Sequence, residues 1–214
     1  MGALGLLKNE LMIYFFVKRQ LDIFFSFFIL LFLLPILLII ILIIKLDSSG
    51  PIFYLSERTG KNKSLFLIFK FRTMYHQSST ANMTTTSNDR RITRFGGFLR
   101  QYKLDELPQF YNVLIGDMSI VGPRPELPYY TEQYDENEEI ILSVRPGITD
   151  FASIEYYNLS DLIPENDANQ FFEKNILKNK NNLRIKYVNE ISLLTDMEII
   201  FKTIHKLRLT MVKK

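Results

Sequence analysis

Two adjacent carboxylates, Asp105 and Glu106, stand in the run Leu104-Asp105-Glu106-Leu107-Pro108-Gln109. Apolar residues at Leu107, Phe110, Tyr111 and Leu114 keep helical spacing, so a helix is expected to begin at this pair. Asp is a favoured N-cap, and Pro108 is tolerated in a first turn because its missing N–H has no intrahelical partner there. Capping accounts for one carboxylate but needs neither Glu106 nor the basic residues gathered in this part of the chain: Lys70, Arg72, Arg90, Arg91, Arg94, Arg100 and Arg124. Paired carboxylates among many cations suit phosphate chemistry, in which a metal and arginines hold charge while a carboxylate attacks. Arg124 lies between Pro123 and Pro125, which restrict the backbone around it and pre-orient its guanidinium; a surface arginine in a rigid turn is the plainer alternative. Asp117, after Gly116, reads as a turn residue.

The chain that must position these groups has 214 residues, enough for one substantial core with appendages. A net charge of +3 and a pI near 8.9 do not call for nucleic acid and suit an anionic membrane surface or a phosphorylated substrate. No cysteine is present, which excludes disulfides and thiolate catalysis, and the two histidines, His76 and His205, are far apart. Neither a Walker A loop nor Gly-x-Gly-x-x-Gly occurs, so the standard nucleotide-binding frameworks are not expected.

From Ile23 to Ile44 the chain carries no charge, and only Ser26 and Pro35 interrupt the apolar run. As a straight helix this run would reach about 33 Å, the thickness of a bilayer core. Pro35 removes one backbone hydrogen bond and favours a kink; bent there, the longer arm of about 18 Å enters one leaflet and turns back. Both flanks are basic, with Lys18 and Arg19 before and Lys45, Arg58, Lys61 and Lys63 after, so charge gives no reason to place the ends on opposite sides. A re-entrant hairpin is the expectation, and a single-span anchor with a tolerated proline is the alternative. Residues 1–47 then form a membrane-embedded unit and 48–214 a catalytic domain at the membrane surface.

Beyond Ser48-Ser49-Gly50-Pro51, Ile52–Leu55 and Leu65–Phe71 read as a hairpin turning through Gly60-Lys61-Asn62-Lys63. Period two puts Lys70 and Arg72 on one side, about 6.6 Å apart, a spacing that could grip a diphosphate. Gln77 to Asn88, rich in Ser and Thr, reads as a mobile loop. Thr93 is expected to cap a short helix with Phe95, Phe98, Leu99 and Tyr102 on one face and Arg94 and Arg100 on another; Gly96-Gly97 within it marks a close approach of backbone or bilayer.

These motifs, together with Lys18-Arg19, Asp22, Ser49-Gly50-Pro51, Glu57-Arg58-Thr59-Gly60, Lys70-Phe71-Arg72-Thr73-Met74, Gly116 to Glu126 and Arg145-Pro146-Gly147-Ile148-Thr149, occur in an order that resembles the small monotopic phosphoglycosyl transferases. Members of that family are bacterial sugar transferases that begin glycan assembly on a polyprenyl phosphate. The resemblance implies transfer of a sugar-1-phosphate from a UDP-sugar to polyprenyl phosphate, with release of UMP. Asp105 would be the nucleophile and the ligand of Mg2+, forming an aspartyl phosphosugar, and Glu106 would assist the second half-reaction. Pro123, Arg124 and Pro125 would face the nucleotide diphosphate. Lys70, Arg72, Arg94, Arg100 and Arg145 are the further candidate substrate contacts, Arg145 having a structural turn as its equal alternative. The implied fold is mixed α/β and mostly helical: a Pro-kinked re-entrant helix, a small β-hairpin and interfacial amphipathic helices on the cytoplasmic face of the inner membrane. A glycosyltransferase moving only the sugar, or a membrane-tethered adaptor, are the competing readings. The segment Asp150-Phe151-Ala152-Ser153-Ile154-Glu155 follows Thr149, and many members of the family carry glycine at its first position; that segment is a candidate for shaping the sugar pocket.

In the last third, Leu127 to Leu142 is expected as an acidic helix with a solvated face. Tyr156, Tyr157 and Asn158 are candidates for stacking on a base or sugar, with core packing the commoner role for such aromatics. Leu193, Met197, Ile200, Ile204, Leu207 and Met211 make an apolar helical stripe, suited either to an anionic lipid surface or to domain packing.

Overall fold

A computed structural model describes residues 3–76, 84–86 and 89–212. The protein is mostly helical with two small sheets. Helix α1, Ala3–Asp47, continues without interruption through Pro35. Its span from Asn9 to Asp47 is long and apolar enough to cross a membrane.

Both ends of α1 are fastened to the same body. Near the start, Tyr14 and Lys18 bond the Asp196 carboxylate at 2.8 and 2.6 Å, while Asp22 accepts from Ser119 Oγ and the Ile120 N–H. Near the end, Ile40 and Ile44 are buried with Phe71 and Leu99, and the Phe95 N–H donates to Asp47 at 3.3 Å. Between these anchors Phe24, Phe25, Phe27, Phe28, Leu31 and Phe32 stand exposed.

Strands β1, Phe53–Thr59, and β2, Leu65–Phe71, form an antiparallel hairpin in the register Phe53↔Phe71 to Thr59↔Leu65. The first strand runs beyond the expected Leu55, because each residue as far as Thr59 finds a partner across the ladder. Phe53, Leu55, Leu65 and Leu67 face outward and are exposed, whereas Ser56 and Ile68 are buried. Most of the Ser/Thr-rich stretch 77–88 lies outside the described residues.

Helix α2, Arg94–Gln101, is capped as expected: Thr93 Oγ1 accepts the Gly96 N–H at 2.9 Å. Gly96 marks the expected close approach, since a Cβ there would stand 2.1 Å from the Thr73 carbonyl oxygen. A 3-10 turn, Leu104–Glu106, leads into α3, Gln109–Ile115. The buried face of α3 is Gln109, Asn112 and Val113, while Tyr111 is exposed and Leu107, Phe110 and Leu114 are only partly buried. Asn112 explains the inversion. Its side chain accepts from the Phe69 N–H and donates to the Leu67 carbonyl, satisfying the open edge of β2 as another strand would.

Strand β3, Ser119–Val121, pairs in parallel with β4, Gly147–Thr149, a contact not expected from either short segment. The strands close tightly: a Cβ on Gly147 would stand 2.1 Å from the Gly122 nitrogen. Instead of one acidic helix, α4, Pro128–Thr131, is followed by turns and a 3-10 segment, Glu138–Ser143. Asp135 breaks the run, its Oδ1 accepting the N–H groups of Asn137 and Glu138 in a turn that competes with helix. Beyond β4 come α5, Phe151–Glu155, α6, Leu159–Leu162, and α7, Ala168–Phe172, continued by a π turn into α8, Lys178–Asn189. The last helix, α9, is Leu193–Val212. It buries Ile199 against Val121 and Tyr187 and leaves Leu193, Leu194, Met197, Phe201 and Ile204 exposed.

Candidate active site

Asp105 and Glu106 occupy the 3-10 turn ahead of α3, and neither side chain caps that helix. The expected capping role is therefore absent. Asp105 is buried, and its Oδ1 has no hydrogen-bond partner. Burial, then the neighbouring Glu106 charge, push its carboxyl above the ordinary range, with Lys70, Arg100 and Lys103 opposing.

Glu106 is held in the opposite state. Its Oε1 accepts from Arg124 Nη2 and, at 3.0 Å, from Lys70 Nζ. Burial alone would raise its pKa, but Arg124 and Lys70, aided by Lys103, hold it well below the usual carboxylate range. Two adjacent carboxyls are thus pushed apart, one toward its neutral form and one firmly ionised.

The Arg124 side chain reaches Glu106 because its backbone is tied on the other side. Its N–H donates to Asp150 Oδ2 at 3.0 Å, and Nη1 donates to the Ile148 carbonyl at 2.8 Å. The β3–β4 pairing extends into this loop through Gly147 N–H to Pro123 O and Gly122 N–H to Thr149 O, both 3.0 Å. Next along the chain, partly buried Glu126 accepts from Lys180 at 2.9 Å and Arg184 at 2.6 Å, pinning the loop to α8.

The other expected contacts divide. Lys70 reaches Glu106. Arg100 donates Nε to Thr73 Oγ1 at 2.7 Å and lies within the field of Asp105, which opposes the lowering of its pKa by burial. Arg72 is not brought to the carboxylates. Its Nη2 donates to the Ser48 carbonyl and Oγ at 2.7 and 2.9 Å and to the Ile44 carbonyl at 3.4 Å, at the C-terminal end of α1, where a cation is favoured. Arg94 is exposed on α2. Arg145 donates Nε to the Gly116 carbonyl at 3.0 Å, turning toward Arg19 rather than the carboxylate pair.

Three residues not singled out in the sequence belong to this field. Lys103 immediately precedes the Leu104–Glu106 turn in a left-handed conformation, φ 56°, with its ammonium 5.1 Å from the Tyr157 ring centroid. Burial lowers its pKa against the pull of Glu106. Arg58 on β1 has a buried Nη1 without a partner and lies in the fields of Glu126 and Glu106. Gln109 is fully buried, with both amide atoms unpartnered. The unoccupied bonding capacity of Asp105, Arg58 and Gln109 is visible only in three dimensions. The Glu57-Arg58-Thr59-Gly60 motif is the sequence signal for Arg58, and the Leu104 to Gln109 run is the one for Gln109; Lys103 lies just outside both.

Residues 13–209 match the family described as bacterial sugar transferase. The chain is 35% identical over 196 residues to the UDP-N-acetylgalactosamine-undecaprenyl-phosphate N-acetylgalactosaminephosphotransferase of Aeromonas hydrophila, covering 90% of this chain and 44% of that protein. It is 38% identical over 194 residues to the UDP-glucose:undecaprenyl-phosphate glucose-1-phosphate transferase of Escherichia coli (strain K12), covering 89% and 40%. A third relative, the uncharacterized sugar transferase EpsL of Bacillus subtilis (strain 168), is 33% identical over 191 residues, covering 89% and 86%. The chain spans less than half the length of the first two. With its motifs matched along nearly the whole chain, this protein belongs to the bacterial sugar transferase family.

Proposed function

We propose that the protein transfers a sugar-1-phosphate from a UDP-sugar to polyprenyl phosphate, undecaprenyl phosphate by analogy with its relatives, and releases UMP. The observation that carries this reading is the division of labour in the pair: Asp105 keeps a free, buried oxygen while Glu106 is clamped by Arg124 and Lys70. In the first step, an Asp105 oxygen bonds to the sugar-bearing phosphorus and the bond from that phosphorus to the bridging oxygen breaks. UMP leaves, and an aspartyl phosphosugar remains. In the second step, an oxygen of polyprenyl phosphate attacks the same phosphorus and Asp105 is released.

The cations fit this sequence. Lys70, Arg100, Lys103 and Arg124 supply positive charge for a diphosphate, and Arg58 brings a further free donor. Clamped as it is, Glu106 is a weak base. Substrate phosphates compete for Arg124 and Lys70, and loosening that clamp raises the Glu106 pKa toward the range of a proton acceptor. Asp105 Oδ1 suits Mg2+, which takes one or two protein carboxylates and fills its remaining positions with water and phosphate oxygens. Bound there, the ion would neutralise charge on the transferring phosphoryl group.

Membrane placement follows from the outward apolar surfaces: the middle of α1, the hairpin face of Phe53, Leu55, Leu65 and Leu67, and the stripe of α9. Because both ends of α1 are tied to one body, a re-entrant course that leaves and returns to the same face accounts for them better than a span.

The test incubates the protein with UDP-sugars and polyprenyl phosphate. UMP release and a covalent adduct at Asp105 when acceptor is omitted are the expected results; UDP as the nucleotide product would instead indicate transfer of the sugar alone.

A further inference from the structure

A second cationic recess lies beside the first half of α1. A small, open cleft at the surface is lined by Phe15, Lys18, Arg19, Asp22, Lys61 and Arg145, among others. None of these six side chains is bonded to Asp105 or Glu106.

The charges in this cleft are unevenly matched. Lys18 is paired with Asp196, and Asp22 is satisfied by Ser119 and the Ile120 N–H. Arg19, Lys61 and Arg145 have no carboxylate partner among the described residues. Arg19 donates to the Val113 and Leu114 carbonyls at 2.6 and 3.0 Å, and Arg145 to the Gly116 carbonyl at 3.0 Å. Both guanidiniums therefore converge on the C-terminus of α3. Their proximity registers in Arg19, whose pKa is lowered by burial first and by Arg145 next, with the nearby Asp22 charge opposing. The Lys61 ammonium adds a third charge, 5.6 Å from the Phe15 ring centroid.

Capping the end of α3 explains part of this arrangement, because cations are favoured at a helix C-terminus. It uses two of the donors on Arg19 and one on Arg145, leaves others on each guanidinium unassigned, and gives no role to Lys61. Like charges drawn together at a cleft are relieved by an anion with several acceptor oxygens, and forked guanidiniums match a phosphate. The height of the cleft narrows the choice. Arg19 lies one helical turn before the apolar run that begins at Ile23, with exposed Met12, Ile13 and Phe16 on the preceding turns. Under the membrane placement proposed above, on which this inference rests, that is the level of lipid phosphates.

We propose that the cleft of Arg19, Lys61 and Arg145 binds the phosphate headgroup of an anionic lipid, at a site separate from the Asp105 centre. The phosphate can belong to a bulk phosphodiester lipid or to the monoester of a polyprenyl carrier.

The test is native mass spectrometry of the full chain in detergent, with phosphatidylglycerol, phosphatidylcholine, polyprenyl phosphate or inorganic phosphate added singly. Retained adducts with phosphatidylglycerol, with little phosphatidylcholine, identify the bulk lipid as the source; retention of polyprenyl phosphate alone identifies the carrier. In either case Lys61→Glu, a change at an exposed side chain, and Arg145→Gln should each reduce the adduct at least about tenfold, a loss of about 1.4 kcal/mol. Asp105→Asn should leave it intact, so the site can stand or fall independently of the proposed chemistry. Adducts indifferent to both the Lys61 and Arg145 changes, equal retention of phosphatidylcholine, or binding of inorganic phosphate alone would overturn the proposal.

Discussion

Asp150 holds Arg124 by its backbone and leaves the guanidinium free for another partner. The carboxylate accepts the Arg124 N–H on Oδ2, while Oδ1 accepts Ser153 N–H and Oγ, both at 2.6 Å, as the cap of α5. One fully buried side chain thus fixes the loop bearing Arg124 and starts the following helix. Replacing Asp150 with Ala should lower stability by about 2–3 kcal/mol, from the lost cap and an orphaned N–H. Turnover should fall on the order of tenfold or more as Arg124 drifts from Glu106. Asp150→Asn, which keeps acceptor and shape, should recover part of both losses in thermal melts and UMP-release assays.

Asp105 works under an opposing constraint. Its pKa is raised by burial, so the folded state holds its proton more tightly than the unfolded chain. Its favourable contribution is present below the ordinary carboxylate pKa and is lost as pH rises through the raised value. Asp105→Asn should therefore abolish adduct formation yet raise the melting temperature at neutral pH. That gain should vanish in acid, below about pH 4.

The rate profile should carry the same signature. Adduct formation needs the ionised Asp105, so its acid limb should lie above the usual carboxylate range. Glu106→Gln removes the adjacent negative charge and frees Lys70 and Arg124, and both changes lower the Asp105 pKa. The limb should move to lower pH in a single-turnover pH series, whatever happens to the second half-reaction.

Lys103 combines an unfavourable backbone with a half-buried charge. Glycine adopts its left-handed conformation freely, which relieves about 1 kcal/mol and is partly offset by the greater freedom of the unfolded chain. Lys103→Gly should thus melt near the parent while turnover drops on the order of 10- to 100-fold. Lys103→Ala, which keeps the strain, should be less stable and equally slow.

Arg72 separates structure from binding. Because it bonds the exit of α1, Arg72→Ala should destabilise the protein by about 2–3 kcal/mol and leave the donor KM unchanged. A raised donor KM with normal stability would restore it to the substrate site.

The local elements were legible where neighbours in sequence decide them. The apolar run with Pro35, the Thr93 cap, the hairpin and the paired Asp105-Glu106 follow from composition, spacing and short-range bonding, and the ordered motifs carried the family. Short range failed where a distant partner set the outcome. Asn112 turned the polar face of α3 inward because β2 had an open edge to satisfy. Arg72 went to the end of α1, away from its period-two neighbour Lys70, and Arg145 went to Gly116 and Arg19. The pairing of β3 with β4 brings two short segments together through close backbone contact at Gly122 and Gly147. Sequence determined which charges and apolar surfaces the protein possesses. Tertiary structure decided which charges neutralise one another and which, like Asp105, keep a free valence, because burial and Coulomb energies depend on distance in space.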